Sequence, residues 1–370
     1  MKKVLVPRVR FKGFDEEWKK DTIRNIANIT NGKLDANAMV KSGMYNFYTS
    51  GIDVYKIDKY SFEGEGISIA GNGVNMGYMH LVSGKYNAYQ RTYILNNIKI
   101  DRHFLFYNLW KNFWEFCQKN TREGSIPYLL YNDISDFKIF KSHSNEQQKI
   151  GKLLENIDNL ISLEQSKLNK LKQLKQTLLQ KMFPEHNSKK PRIRFKGFSE
   201  EWKEDTIGNI ATITNGKSNT SDNNKWGQYN LYIRSEEIYK SNKYIFDVEG
   251  VITVGDGNIG KIFHYVNGKF DLHQRCYLIY EFQNIWPKYF YYYFSQNFYK
   301  RAILMSYTAT VNSIRINTIT DMDIMFPKEL IEQQKIGDFF CKIDTLINLH
   351  NSKLNKLKQL KAALLQKMFV

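Results

Sequence analysis

Two stretches of the chain carry the spacing of apolar side chains that is typical of long helices packed on a partner. In residues 146–183 and 332–369 these side chains recur mostly in alternating steps of three and four. Helices of this length span about 55–60 Å. We expect the two to bury their stripes against each other as an antiparallel coiled coil, with a globular domain at each end. The predicted seam consists of Ile150, Leu154, Ile157, Ile161, Leu168, Leu171, Leu174 and Leu178, and of Ile336, Phe340, Ile343, Ile347, Leu354, Leu357, Leu360 and Leu364.

Polar residues interrupt this pattern at matching places. Glu164 and His350 occupy the same seam position, where a polar side chain either fixes the register of the pair or lies at a solvated edge. Lysines cover much of the remaining face, which is typical of a solvated surface and less often of a phosphate-binding stripe. Those of the first stretch include Lys167, Lys170, Lys172 and Lys175.

The chain contains two diverged copies of one unit. Between residues 7–33 and 191–217, 22 of 27 aligned pairs are identical, and between 146–183 and 332–369, 27 of 38 are identical. The inserts between these blocks, near 34–142 and 218–327, share only a skeleton of glycines and a Gln-Arg pair. Two nearly identical frames that hold two different inserts indicate a shared scaffold with two separate recognition tasks.

The inserts are predicted to mix strands and helices. Apolar and β-branched runs bounded by Gly and Asn predict strands, and aromatic-rich runs predict buried helices. The strands are expected at Gly66–Ala70, Tyr93–Leu95, Gly250–Val254 and Tyr277–Ile279, and the helices at Phe104–Phe116 and Trp286–Phe298. The predicted fold class is α+β, with recognition domains at 1–142 and 189–327 and repeated helices at 143–188 and 328–370.

Composition narrows the partner and the compartment. A formal net charge of +17 suits a polyanion, and no apolar run of membrane-spanning length occurs, so nucleic acid is the expected partner. The three cysteines, Cys117, Cys276 and Cys341, are odd in number and far apart, which argues against a disulfide framework and favours the cytoplasm. No Cys/His spacing predicts a metal site, and we expect none.

One glycine-rich motif imitates a nucleotide-binding loop. Residues 255–260 satisfy G-x-G-x-x-G, but that chemistry needs a helix N-terminus after the loop. The residues that follow, 261–266, alternate like a strand, and the sister segment 71–77 breaks the spacing. A glycine-rich hairpin or loop is therefore predicted here. We find no catalytic constellation in the sequence and expect no catalytic residue.

The repeated motifs resemble a known family. The opening Arg-Phe-x-Gly-Phe-x-x-x-Trp occurs at Arg10–Trp18 and at Arg194–Trp202, and Glu-Gln-Gln-Lys-Ile-Gly begins at Glu146 and at Glu332. Both are similar to repeated regions of type I restriction-modification specificity subunits, the HsdS family. The resemblance implies that each insert reads one half of a split, asymmetric site in double-stranded DNA. It also implies that the helices fix the spacing and, through the seam residues, dock two modification subunits and with them restriction subunits.

The resemblance assigns the cofactors to the partner subunits. S-adenosylmethionine for adenine methylation, and ATP and Mg²⁺ for restriction, are expected there, with none bound by this chain. Two alternatives remain open at this point. One is a self-sufficient two-domain nuclease, and the other is a coiled-coil scaffold that binds only proteins.

Base-reading side chains are expected in polar loops, which vary without disturbing a core. The glycine loops contribute Asn72, Asn75, Asp256, Asn258 and Lys261, and the polar stretches before the closing strands contribute Thr121, Arg122, Ser125, Thr308, Thr310, Asn312 and Ser313. A further group is Gln90, Arg91, Gln274 and Arg275. Because this pair recurs unchanged in both inserts, it is expected to hold phosphate or to brace the fold.

Overall fold

The computed structural model describes residues 5–119, 126–185, 188–308 and 312–370. The chain divides into two compact units, unit 1 formed by Met1–Gln165 with Ser352–Val370 and unit 2 by Ser166–Asn351. Each unit holds a mixed α/β head and parts of two long helices. We call residues 5–143 head 1 and residues 188–329 head 2. The predicted class is confirmed; the predicted domain boundaries stay predictions.

Head 1 is built on two small sheets. Its strands are β1 (Lys19–Thr22), β2 (Asn28–Asn31), β3 (Tyr45–Tyr48), β4 (Val54–Ile57), β5 (Phe62–Glu63), β6 (Gly66–Ala70), β7 (Met79–Val82), β8 (Lys85–Ala88), β9 (Thr92–Asn96) and β10 (Lys138–Lys141). Its helices are α1 (Ile23–Ile26), α2 (Arg102–Lys119) and α3 (Tyr131–Ser135), with a 3-10 turn at Ala36–Ala38. The sheets have the orders β2-β9-β6-β7 and β4-β3-β8-β5, and β1 pairs with β10. The aromatic helix α2 supplies much of the buried core, as its sequence predicts.

Head 2 repeats this plan with one longer sheet. Its strands are β11 (Lys203–Thr206), β12 (Thr212–Asn215), β13 (Tyr229–Tyr232), β14 (Tyr239–Ser241), β15 (Phe246–Val254), β16 (Phe263–Leu272), β17 (Cys276–Tyr280), β18 (Tyr307–Thr308), β19 (Asn312–Ser313) and β20 (Asp323–Phe326). Its helices are α5 (Ile207–Ile210), α6 (Pro287–Leu304) and α7 (Asn317–Thr320), with a 3-10 turn at Thr220–Asp222. The sheet order is β12-β17-β15-β16-β13-β14, so the strands that form two separate sheets in head 1 form a single sheet in head 2. In head 1, Gly64 with a φ of +100° separates β5 from β6, whereas Val248 continues β15.

Two continuous helices of 39 residues each complete the fold: α4 is Ser144–Met182 and α8 is Leu330–Met368. We call them the central helix and the distal helix. In unit 1 they pair antiparallel, because Lys361 Nζ lies 2.6 Å from Asp158 Oδ1 and Lys353 Nζ lies 2.6 Å from Glu164 Oε1. In unit 2 Lys175 Nζ lies 2.6 Å from Asp344 Oδ1. Glu164 is 1% exposed, which favours the register-fixing role over the solvated edge.

The seam follows the predicted stripe except at two leucines. Buried members are Ile150, Leu154, Ile157, Leu168, Ile336, Phe340, Ile343, Ile347 and Leu354, and half-buried members are Ile161, Leu171, Leu178, Leu357 and Leu364. Placing Leu174 and Leu360 in the seam was wrong, since they are 49% and 47% exposed. Their neighbours Lys175 and Lys361 occupy the helix interface through ion pairs, which turns each leucine outward.

The end of each long helix is anchored by a phenylalanine buried against a head. In unit 2 Phe183 is 3% exposed, and its ring centroid lies 6.4 Å from that of Trp202. In unit 1 Phe369 is also 3% exposed, with centroid distances of 6.1 Å to Trp18 and 5.4 Å to Phe104. The repeated Leu-Leu-Gln-Lys-Met-Phe block therefore ends in an aromatic anchor in both units.

The start of each long helix is tied to the repeated opening motif. Arg10 donates from Nε and Nη2 to the two oxygens of Glu146 at 2.6 and 2.9 Å, and Arg194 does the same to Glu332 at 2.7 and 2.9 Å. Both carboxylates are buried, and an unpaired charge inside the protein would be costly. The bidentate pairs with arginine therefore compensate the charges of Glu146 and Glu332. The motif recurs because each helix needs this partner.

A carboxylate also ties each head to its helix pair. Tyr107 of α2 donates its hydroxyl to Asp158 at 2.7 Å, and Tyr292 of α6 donates to Asp344 at 2.8 Å. Burial, followed by the neighbouring carboxylate, raises the pKa of both phenols, so each hydroxyl remains a donor at neutral pH. Since Lys361 and Lys175 bind the same aspartates, each carboxylate joins three elements within its unit.

We predict that Phe369→Ala lowers the free energy of unfolding of the chain by about 3 kcal/mol, because it empties a packed aromatic site. Leu360→Ala, on the same helix but exposed, should change it by less than about 0.5 kcal/mol. Denaturant unfolding followed by tryptophan fluorescence measures both. Equal losses in the two variants would contradict the anchoring role.

Candidate nucleic-acid interface

Backbone hydrogen bonds in head 1 bring the glycine loop and the Gln-Arg turn, both predicted, together with residues 127–129, which follow the predicted polar stretch. Gly71 N donates to Arg91 O at 2.8 Å, Leu129 N donates to Gly71 O at 2.7 Å, and Gly73 N donates to Pro127 O at 2.8 Å. The glycine loop therefore lies between the Gln-Arg turn and the segment before α3. We call residues 71–77, 90–91 and 127–129 recognition edge 1.

The same three segments meet in head 2. Gly255 N donates to Arg275 O at 2.8 Å, Ile314 N donates to Gly255 O at 2.9 Å, and Gly257 N donates to Asn312 O at 2.9 Å. We call residues 255–261, 274–275 and 312–314 recognition edge 2. Each edge therefore has the same backbone frame, although the side chains on it differ.

Glycine is required where these segments cross. A Cβ on Gly71 would lie 2.2 Å from Arg91 O, and one on Gly255 would lie 2.8 Å from Tyr277 Cε2. Gly73 and Gly257 adopt φ of +81° and +74°, the left-handed region that favours glycine. These glycines allow the backbone segments to approach closely. The strand β16, which follows residues 255–261, confirms the predicted hairpin in place of the helix N-terminus of a nucleotide-binding loop.

The predicted base-contact residues differ in accessibility. Gln90, Arg91, Asn258, Lys261, Gln274, Arg275 and Asn312 are exposed, Asn72, Asn75 and Ser313 are half-buried, and Asp256 is buried. Thr308 lies in β18, which pairs with β19 of edge 2. Thr121, Arg122, Ser125 and Thr310 lie outside the described residues. Their roles in contacting DNA stay predictions.

The sequence did not indicate Ser50 and Arg234, each of which pairs with a predicted residue at the centre of one edge. In head 1 Ser50 Oγ donates to Asn72 Oδ1 at 2.5 Å. In head 2 the matching pair is ionic, since Arg234 Nη1 lies 3.1 Å from each oxygen of Asp256. Arg275 Nε lies 4.0 Å from Asp256 Oδ2. Comparing the two copies of the sequence could have found Ser50 and Arg234, because each lies two positions after a matched tyrosine at the end of β3 or β13.

A half-buried histidine supports the loop that carries each missed residue. His264 Nε2 lies 3.1 Å from Ser235 O, and its ring packs on Tyr232 with centroids 5.0 Å apart. In head 1 His80 Nε2 lies 3.5 Å from Gly51 O. Burial lowers the pKa of both histidines, so the neutral ring is the form present at neutral pH.

Clusters of metal ligands and membrane-spanning helices are the other features that would bear on function. Within residues 5–119, 126–185, 188–308 and 312–370, no three His, Cys, Asp or Glu side chains converge as metal ligands. No helix in the described part of the chain combines the length and apolarity needed to cross a membrane. The positive charge and the two polar edges remain the features to be explained.

The family model for the type I restriction modification DNA specificity domain matches residues 15–173 and 199–359. The chain belongs to this family. The two matches cover both heads and most of both long helices, so each copy of the repeat is a specificity domain.

Individual relatives agree with this assignment. The chain is 34% identical over 136 residues to the EcoDI specificity subunit of Escherichia coli, a match that covers 37% of this chain and 30% of that protein. The fold is similar to the S subunit of a type I system from M. genitalium, with a TM-score of 0.79, 17% identity and 99% of both chains covered. A chain from a structure of the assembled type I R-M system matches with a TM-score of 0.50 and 15% identity, covering 97% of this chain and 99% of that one.

We predict that Gly71→Ala destabilises head 1 by about 1–3 kcal/mol, because its Cβ would overlap the Arg91 carbonyl and push the Gln-Arg turn away. Gly51→Ala is the matched control, since its Cβ would lie 3.5 Å from its nearest neighbour, Thr49 Oγ1. Thermal unfolding of the two variants checks the difference. A Gly71→Ala protein as stable as the control would contradict the close crossing of the segments.

Proposed function

We propose that this chain is the DNA sequence-specificity subunit of a type I restriction-modification complex and reads a split, asymmetric site. One observation carries the proposal: two nearly identical frames present two recognition edges whose central side chains differ in charge. Ser50 with Asn72 is neutral, whereas Arg234 with Asp256 is ionic. Edges that differ in this way suit two unlike half-sites. Membership in the family supports the same conclusion.

The division of labour follows from the chemistry of the chain. The surplus of Lys and Arg behind the charge of +17 supplies a salt-sensitive hold on phosphates, while the edges supply base contacts. Specificity subunits of this family are generally non-catalytic, so adenine methylation and DNA cleavage belong to partner subunits in this proposal. S-adenosylmethionine, ATP and Mg²⁺ would be bound there. Neither the family match nor the described contacts favour the nuclease or the protein-only scaffold.

The first test is to co-express the chain with its modification subunit and map methylated bases across a genome. We expect one motif with two unlike halves separated by a spacer of fixed length, because each head reads its own half-site. A continuous motif, or two identical halves, would contradict the proposal. Cleavage of DNA by the purified chain with Mg²⁺ alone would favour the nuclease instead.

Exposed leucines on the long helices mark the surface on which we place the modification subunits. Three repeated pairs are involved, each separated by 186 positions in the sequence. Unit 1 exposes Leu160, Leu163 and Leu360 by 43%, 50% and 47%, and unit 2 exposes Leu346, Leu349 and Leu174 by 43%, 62% and 49%. Apolar side chains recurring on an exposed helical surface fit a helix-packing partner. The seam residues predicted for docking are buried or half-buried within the units, and their role in docking stays a prediction.

The leucines of one unit lie at one level of its helix pair. In unit 1 Leu160 is two residues from Asp158, and Leu360 adjoins Lys361, the partner of that aspartate. In unit 2 Leu346 and Leu174 stand in the same relation to Asp344 and Lys175. Two equivalent patches therefore suit two modification subunits, one for each unit.

We predict that Leu160→Glu combined with Leu163→Glu reduces the number of bound modification subunits from two to one, because charge replaces one apolar patch. The corresponding changes at Leu346 and Leu349 should remove the other. Native mass spectrometry of the purified complex counts the subunits. Leu304→Glu is the control, since this leucine is 83% exposed but lies in head 2. If a variant with all four leucines replaced by Glu still bound both modification subunits, this docking surface would be contradicted.

A further inference from the structure

We propose that Arg234 is the specificity-determining residue of recognition edge 2, that it reads a guanine, and that Asp256 is its positioning residue. This inference rests on the proposed function and adds to it a residue and a base. Arg234 is accessible, with 46% of its side chain exposed, while the Asp256 side chain is 13% exposed. The pair thus combines a reachable guanidinium with a largely buried carboxylate.

The geometry leaves the arginine able to bind two acceptors. Both bonds to Asp256 use Nη1, so they do not occupy Nε or Nη2. Guanine presents O6 and N7 in the major groove, and the two-pronged arginine contact to them is the commonest base-specific contact. Asp256 fixes the guanidinium, and His264 holds the carbonyl of the adjacent Ser235, so little side-chain freedom is lost on binding.

The nearby carboxylate favours a base over a phosphate. A phosphate beside Arg234 would be repelled by Asp256 about 3 Å from the guanidinium, whereas the guanine edge carries no net charge. Arg275 has a weaker contact with the same carboxylate, at 4.0 Å, and is 64% exposed. Arg91 is the residue of head 1 that corresponds to Arg275. Because this arginine recurs in both heads, we assign Arg275 to the phosphate backbone.

Head 1 shows that this position varies while the frame does not. Ser50 and Asn72 replace Arg234 and Asp256 at an offset of 184 residues, and they are hydrogen-bonded to each other as the ionic pair is. Asparagine side chains pair with adenine in the major groove, not with guanine. The two edges thus differ at the one place where their chemistry would set the preferred base.

In the test, DNA duplexes with a randomised half-site compete for binding to the complex of the full chain with its modification subunits. The measurement is the base preference at each position of the bound duplexes. Arg234→Gln should reduce discrimination for guanine at one position of one half-site by about 10- to 100-fold. All other positions should keep their preferences. Arg275→Gln is the matched control and should weaken binding to every sequence alike. Arg234→Lys keeps the charge but lacks the planar guanidinium that Asp256 orients, so it should retain affinity and lose part of the discrimination.

Other outcomes overturn the inference. A uniform loss of affinity in Arg234→Gln, with the salt dependence reduced by about one ion, would make Arg234 a phosphate contact. Unchanged preferences in both Arg234→Gln and Arg234→Lys would make it a structural residue. If the unmodified complex showed no sequence preference at all, the proposed function itself would fail, a result distinct from either of these.

Discussion

The structure depends on one aspartate in each unit that joins the head to the helix pair. Asp158 accepts the hydroxyl of Tyr107 and pairs with Lys361, so α2, the central helix and the distal helix meet at a single carboxylate. Asp344 does the same with Tyr292 and Lys175. Each ion pair is half-buried, with side chains 20% to 34% exposed, so the attraction between the charges adds little net stability by itself. Its effect is therefore to specify one register of head and helices.

This constraint explains why the frame is repeated so closely and the inserts are not. The Arg10–Glu146 and Arg194–Glu332 pairs fix where each helix begins, and the aromatic anchors fix where each ends. The edges are held mainly by backbone hydrogen bonds and glycines, which leave the exposed side chains free to change. The side chains on an edge can therefore change without altering the attachment of the head to the helices.

The long helices could be predicted from the sequence to within two residues, because apolar periodicity over many turns is a strong local signal. The prediction of the seam was wrong at Leu174 and Leu360 because the adjacent residues, Lys175 and Lys361, form ion pairs with the other helix. Such pairing between distant residues cannot be read from the local sequence. Arg234 was missed because its partner, Asp256, lies 22 residues away and is brought close by the sheet. The glycine loop and the Gln-Arg turn could be found because they recur in both copies. Their contact could not, since only the topology creates it.

Our central proposal is that the length of the long helices determines the length of the spacer between the two half-sites. It is tested by duplicating one turn in each helix where the chain passes between units, Ser162–Gln165 and its counterpart Asn348–Asn351. Four added residues lengthen a helix by about 6 Å, which is between one and two base-pair steps of about 3.4 Å. Mapping the methylated motif of this variant should show unchanged half-sites and a spacer longer by one or two base pairs. An unchanged spacer in an assembled, active complex would contradict the account.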